Sequence, residues 1–397
     1  MPMHRNVWRK LIVGWKREHP RPRRPVFLAA LTATVWLAFV AGCSSNPYTK
    51  QGSSTMPLAP AVSYHYHPLD AGDALRVKGD QLFTADGAAI GLFGYKYSAA
   101  WACVGYGRGE EIWASKPPGE STIRTIQDTW HADVVRIPLN EDCWLSINGV
   151  NPQYSGGNYR RAIAGFVNLL NRNGIYADLD LHWNAPDNRV ARKQQLMADA
   201  DHSLPFWISV ASAFKSNPFV LFELYNEPHL GGYAPTGADW DCWLNGCTVA
   251  SHRTKWQTAG MQSLVDAVRA TGAKQIVIVN GLSWANNLTG WLRYRPNDPL
   301  RNMAAGFHVH DNPGQLFLSP SAWRQDLAPV RAAGYPVIAT EIAGPKDDVQ
   351  IVSTFSKWAN QNGISYIGWS NQYTNGSNDF STVLNDEFAQ EQARDYR

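Results

Sequence analysis

Glu227, in the run FVLFELYNEP, and Glu341, in the run PVIATE, sit where two apolar, strand-like segments end. A pair of carboxyl groups held face to face is what acid-assisted cleavage of a glycosidic bond requires. One must be protonated to help the leaving oxygen depart, and the other ionised to attack or stabilise the anomeric carbon. The ends of the neighbouring strand-like segments offer, in chain order, Arg136, His182, Asn226, His308, His310 and Trp369.

These residues need a scaffold that puts strand ends together. Beyond residue 72 short apolar runs alternate with amphipathic stretches eight times. The runs are Ile90 to Tyr97, Ala132 to Leu139, Ile175 to Trp183, Phe219 to Pro228, Lys274 to Leu282, Ala304 to Asp311, Pro336 to Gly344 and Ile364 to Tyr373. Between them, Tyr159 to Asn173, Trp256 to Thr271 and Asp348 to Asn362 carry apolar residues at helical spacing. Each is followed by a glycine suited to the left-handed stop of a helix: Gly174, Gly272 and Gly363. Strands alternating with helices predict an α/β fold with parallel βαβ units, and eight of them predict a (β/α)8 TIM barrel as a single catalytic domain over residues 73–397. The competing doubly wound sheet calls for a glycine-rich phosphate loop after the first strand, and GLFGYKY is not one. In a barrel, chemistry belongs at the C-terminal strand ends, where all the residues above fall.

The segments VVRIPL, DLDLHW, LYNEPH, VIATE and YIGWS, in that order and each at its strand, resemble the cellulase family of retaining glycosidases, glycoside hydrolase family 5. The resemblance implies Glu227 as general acid and base and Glu341 as nucleophile, with Glu227 the protonated partner at rest. It implies that Asn226 holds a sugar 2-hydroxyl, that Arg136 lies near Glu341 and keeps it ionised, that His182 and His308 shape the cleavage subsite, and that Trp369 is the platform beneath the sugar. The chain departs from the family at the sixth strand. There the usual His-x-Tyr is replaced by FHVHDN, so that His310 stands where a tyrosine normally hydrogen-bonds the nucleophile. A histidine can donate the same bond, with a charge that varies near neutral pH. The His-x-His pair also suits metal-dependent barrel hydrolases, but the remaining strand ends lack further ligands to spare, and the expectation is catalysis without metal or other cofactor.

The chain has 17 Trp and 16 Tyr, whose flat rings suit the faces of pyranose sugars. Trp101, Trp144 and Trp243, with Tyr106, Tyr154 and Trp240, fall in loops at the active end and are candidate stacking residues. The formal charge of +3 arises from eight Lys or Arg against one Glu in residues 1–24; the remainder is near −4, which argues against a nucleic-acid partner. The basic stretch precedes an uncharged run from Val26 to Gly42 and the tetrapeptide Val40-Ala41-Gly42-Cys43, the layout of an export signal. Its end resembles the lipobox of bacterial lipoproteins, implying lipidation at Cys43; a plain transmembrane anchor is the competing reading. Residues 44–72, rich in Ser, Pro and Gly, read as a flexible tether. The expected location is therefore a bacterial membrane, with a lipid-anchored body facing the periplasm or cell exterior. Disulfides persist there, predicting Cys242–Cys247 and hence Cys103–Cys143.

Together these features lead us to expect a monomeric retaining β-glycosidase acting on a β-1,4-linked polysaccharide or oligosaccharide, endoglucanase-like or mannanase-like. A surface lipoprotein of the same fold that binds carbohydrate with little turnover is the alternative.

Overall fold

The computed structural model describes residues 67–369, except 98, 100–101, 105–111, 114–116, 252–253, 311–314, 316 and 344–349. The export segment, Cys43 and nearly all of the tether lie outside the described residues, as do Trp101 and Tyr106. No helix among the described residues is long and apolar enough to cross a membrane.

Eight parallel strands close into a barrel, each paired with its successor. We number them β1 (Phe93–Lys96), β2 (Val134–Asn140), β3 (Tyr176–Trp183), β4 (Val220–Glu223), β5 (Val277–Asn280), β6 (Met303–His310), β7 (Val337–Ala343) and β8 (Ser365–Gly368). All eight lie inside or overlap the apolar runs read from the sequence. The helices expected after β2, β4 and β7 span Gly156–Arg172, Met261–Ala270 and Gln350–Asn362. The glycines that follow them, Gly174, Gly272 and Gly363, all adopt positive φ. The second helix starts later than its apolar pattern implies, because Trp256 belongs to a β-hairpin, Thr248–Ser251 paired with Thr254–Gln257.

The floor of the barrel is apolar. Val134, Tyr176, Leu221, Ile278, Ala304, Ile338 and Ile367, from seven strands or their edges, pack into one buried cluster with Leu75 and Leu82. The last two belong to an N-terminal segment containing a small antiparallel sheet (Arg76–Lys78, Gln81–Phe83 and Ala89–Ile90) that the strand count did not anticipate. The tether also ends sooner than residue 72: the Leu69 amide donates to the Asn171 carbonyl at 2.9 Å, and Asp70 caps a 3-10 turn over Ala71–Asp73.

Side chains along a strand alternate faces, so the residue two positions beyond each floor residue also points inward. At that level the interior changes character, to Arg136, Asp178, Glu223, Asn280, Gly306 and Thr340. Gly306 is required by packing, since a β-carbon there would sit 1.5 Å from Asn280 Oδ1. Both expected disulfides form: Cys103–Cys143 joins the loop after β1 to the short helix after β2, and Cys242–Cys247 closes a tight loop after β4.

Candidate active site

Arg136, fully buried on β2, organises the rim. Its Nε and Nη2 donate to the two oxygens of Glu223 at 2.6 and 2.8 Å, and Nη2 also reaches Asp180 Oδ2 and Asn226 Oδ1, each at 2.8 Å. Its Nη1 donates to Glu341 Oε1. Burial alone would favour the neutral guanidine, but Asp180, Glu223 and Glu341 together raise Arg136 well above its ordinary range. Glu223 is held in turn by Asn280 Nδ2 at 2.5 Å and Thr340 Oγ1 at 3.0 Å. Burial would raise its pKa; Arg136 first, then His308, lower it instead.

Glu341 reaches the interior through an irregularity. Thr340 faces inward toward Glu223, and regular alternation would send Glu341 outward. The β7–β8 register shifts between Ala339 and Ile342, so that both side chains turn in, a use of β-bulges common beside active sites. Across β6, the register pairs His308 with Glu341. His308 and His310, two apart on one strand, share a face. His308 Nδ1 lies 3.1 Å from Glu227 Oε1 and 3.8 Å from Glu341 Oε2, while His310 Nε2 lies 3.0 Å from Glu341 Oε2 and 3.9 Å from Glu227 Oε1. His310 thus makes the contact to Glu341 expected of the residue in the tyrosine's place. One donor atom each from Glu227, His308, His310 and Glu341 lies within 4.8 Å of the other three, so the two carboxylates come together closely enough for the spacing of about 5 Å used in retaining cleavage.

The protonation pattern differs from the sequence expectation that Glu227 is the protonated partner. Burial pushes Glu227 upward, but the hydrogen bond and charge of His308 outweigh it and bring Glu227 to about 2. Glu341 also falls to about 2, against its burial, chiefly through Arg136 and then His308. His308 is opposed by burial and raised to about 9 by Glu341, Glu223 and Glu227. These directions favour a proton on His308, which lies among three carboxylates with its Nδ1 3.1 Å from Glu227, over one on Glu227. The sequence reading weighed the two carboxylates without the histidine between them.

His182 Nδ1 bonds Asp180 Oδ2 at 2.7 Å, and burial followed by the charge of Arg136 keeps it neutral. Its ring stacks near Trp369, at 5.8 Å between centroids. Trp369 is only partly buried, lies 6.2 Å from the His310 ring and has the Lys96 Nζ over its face. Asn226 Nδ2 donates to Gln194 Oε1 at 2.6 Å, and Gln194 Nε2 donates to Glu227 Oε2 at 2.7 Å. Gln194, from the loop after β3, thus spans both groups.

Two expected cleft aromatics are core residues instead. Trp144 is buried against Tyr159, Phe206 and Phe214 and donates to Ser209 Oγ at 3.0 Å. Trp243 is fully buried against Trp240, its Nε1 donating to the Asn280 carbonyl at 3.0 Å. In both, the indole N–H finds a partner: Trp144 ties the short helix Glu141–Leu145 to the helix Ser203–Phe214, and Trp243 ties the helix Gly237–Asn245 to β5. Tyr154 also packs partly buried against the core. A partly buried aromatic that the sequence reading did not single out is Trp284, whose backbone N–H donates to the carbonyl of Pro228, the residue after Glu227, and whose ring stacks on His229 at 4.7 Å and lies tilted against Tyr233 at 4.6 Å.

Sequence reasoning also passed over Glu223, Asp178 and Asp180. Each is an acid inside an otherwise apolar strand, at inward-facing parity, and that was a readable signal. Gln194 and Trp284 lie in loops whose path the sequence does not disclose.

Comparison with known proteins agrees with this architecture. The chain is 29% identical over 194 residues to Endoglucanase 3 of Humicola insolens, a match covering 47% of this chain and 42% of that enzyme. It spans less than half the length of the curated relatives it matches. Among solved structures, a β-glucanase from Saccharophagus degradans in complex with cellotetraose aligns with a TM-score of 0.59 at 18% identity, covering 83% of this chain and 96% of that one. A β-mannanase from Thermomonospora fusca aligns at 0.52 and 18% identity, covering 75% and 83%. The profile of Cellulase (glycosyl hydrolase family 5) matches residues 83–375, and the chain belongs to that family.

Proposed function

We propose that this protein is a retaining β-glycosidase that cleaves β-1,4-linked glucan or mannan by double displacement between Glu341 and Glu227. The observation that carries the reading is the convergence of these two carboxylates, with His308 and His310, inside 4.8 Å on one rim of the barrel. The relatives point the same way, being endoglucanases by name, and the structural neighbours include a β-glucanase and a β-mannanase.

In this mechanism a saccharide enters over Trp369 and Trp284 and displaces Gln194 from Asn226 and Glu227. Asn226 Nδ2 is then available to a sugar hydroxyl, and the Glu227 carboxyl, freed from Gln194, can turn toward the glycosidic oxygen. Glu227 takes a proton from His308 and passes it to that oxygen as the glycosidic bond breaks, the bonding pair staying with the leaving group. Glu341, ionised by Arg136 and oriented by His310, attacks the anomeric carbon and forms the glycosyl-enzyme. Glu227, now ionised, removes a proton from water and returns it to His308; the water oxygen displaces Glu341, and the configuration is retained.

Export and lipidation at Cys43, with residues 44–72 as most of a tether, belong to the same proposal: a monomer on a bacterial membrane, working in the periplasm or outside the cell. The two disulfides fit an oxidising compartment.

A screen of the purified protein against β-glucans, mannans and xylans, with product anomers followed by NMR, tests the reaction. Retained β-products support it. Saccharide binding without turnover favours the carbohydrate-binding alternative.

A further inference from the structure

Zinc bound by nitrogen and oxygen ligands at about 2.0–2.1 Å in a tetrahedron sets neighbouring ligand atoms roughly 3.3–3.4 Å apart. The donor atoms at the rim bracket that spacing. Around the ring His308 Nδ1, Glu227 Oε1, His310 Nε2, Glu341 Oε2, successive separations are 3.1, 3.9, 3.0 and 3.8 Å, and no pair exceeds 4.8 Å. We propose that these four side chains form a site for one divalent transition cation, zinc or copper in class, whose occupancy shuts the enzyme off.

Orientation supports the assignment independently of spacing. Ligands in metal sites are aimed by outer partners on their other polar atom, and three of the four have one. His308 Nε2 is held by Thr340 Oγ1 at 3.0 Å, Glu227 Oε2 by Gln194 at 2.7 Å and Glu341 Oε1 by Arg136. In each case the remaining atom faces the common centre. Two imidazoles and two carboxylates, four donors in all, suit zinc or copper and not calcium or magnesium, which call for six or more oxygens. Access is open on one side: the Glu227 and His310 side chains are 14% and 15% exposed, while His308 and Glu341 lie behind them at 0% and 2%. A cation entering as the saccharide does would engage the nucleophile and the acid together. That blocking effect rests on the glycosidase reading; the binding does not.

A second group, Glu141, Asp199 and His202, also brings ligand atoms within 4.8 Å, but its carboxylate oxygens are taken up by backbone amides and by side chains outside the group, whereas the four rim atoms bond one another in pairs, contacts that a cation would replace. Glu141 accepts from the Ala185 amide and Ser203, and Asp199 from the His202 amide, Asn184 and Ser203. It therefore serves as the control.

The test is isothermal titration of chelator-treated protein with zinc chloride, paired with the visible spectrum of the cobalt(II) form and hydrolysis assays with and without zinc. One equivalent should bind, cobalt should give the intense bands of four-coordinate geometry, and zinc should suppress turnover. His310→Ala and Glu227→Gln, verified as folded by circular dichroism, should each weaken binding about 100-fold or more, and His202→Ala should leave it unchanged. Absence of stoichiometric binding at millimolar zinc overturns the site, as does binding that survives both rim substitutions or is lost in His202→Ala. Zinc binding as expected in a protein that hydrolyses no glycan would sustain the site and sink the glycosidase reading; hydrolysis without zinc binding would do the reverse.

Discussion

The floor and the rim of this barrel are built from the same strands, two residues apart, and obey opposite rules. On the floor Val134, Leu221, Ile278 and Ile338 exclude water and pack in one cluster. One inward position further along those strands stand Arg136, Glu223, Asn280 and Thr340, each buried and each held by a specific hydrogen bond. Apolar burial stabilises without direction, whereas a buried charge is tolerated only where partners are aimed at it. The difference teaches that in this fold stability and chemistry are layered along the barrel axis, so substitutions in the two layers should separate them.

The largest separation is expected from Glu341→Gln, which should lower kcat/KM by about 10^4-fold or more while leaving the thermal midpoint nearly intact. A loss smaller than tenfold would remove Glu341 from the nucleophile's role. Next, Arg136→Met strands Asp180, Glu223 and Glu341 without their shared cation. It should cost about 3–5 kcal/mol of stability, read from the denaturant midpoint, together with most activity. If stability holds within about 1 kcal/mol, the rim is not the buried charge network described. On the floor, Ile278→Ala should cost about 2–5 kcal/mol, with kcat within about twofold of the parent at temperatures where both are folded. A floor variant that loses activity without losing stability would break the layering.

The pH response sharpens the same contrast, because the titrating groups belong to the rim. In the metal-free protein His308 is raised to about 9, so it is protonated at neutral pH, and activity that draws on its proton should fall as pH rises through about 9. Its ion pairs add stability that is fully present below the ordinary histidine value of 6.5 and lost through that same range. Glu227 and Glu341 are lowered to about 2, so their contribution is present above the ordinary 4.5 and fades only as pH falls toward 2. An alkaline limb near 6 in the rate profile would contradict His308 as the proton reservoir. The smallest effect is expected at Gln194. Its two hydrogen bonds must be given up to substrate, so Gln194→Ala should lower KM roughly two- to tenfold, the worth of one net hydrogen bond. A higher KM would make Gln194 a substrate contact instead.

Much of this layering was legible in the sequence. Strand ends carrying Arg136, His182, Glu227, His308 and Glu341 gave the barrel and its active end, because alternation and glycine helix stops are local patterns. The position of His310 against Glu341 was implied by the resemblance to the cellulase family, with His308 matched to the family histidine. What stayed hidden depends on distance in space. The pull of the proton toward His308 depends on a 3.1 Å contact between β6 and the segment after β4. Glu341 turns inward only because a register shift cancels alternation. Trp144 and Trp243 carry composition that suits a sugar cleft, yet a loop's path decides whether such a ring meets solvent or core, and both entered the core.

In the proposed mechanism Glu341 forms a covalent bond to sugar while Glu227 faces it. Mass spectrometry of the protein after incubation with a 2-deoxy-2-fluoro β-glycoside of the preferred sugar measures this directly. The account predicts one equivalent of fluoroglycosyl on the peptide that contains Glu341 and none in Glu341→Gln. Label on any other residue, or steady hydrolysis of glycan with inverted products and no label, would contradict it.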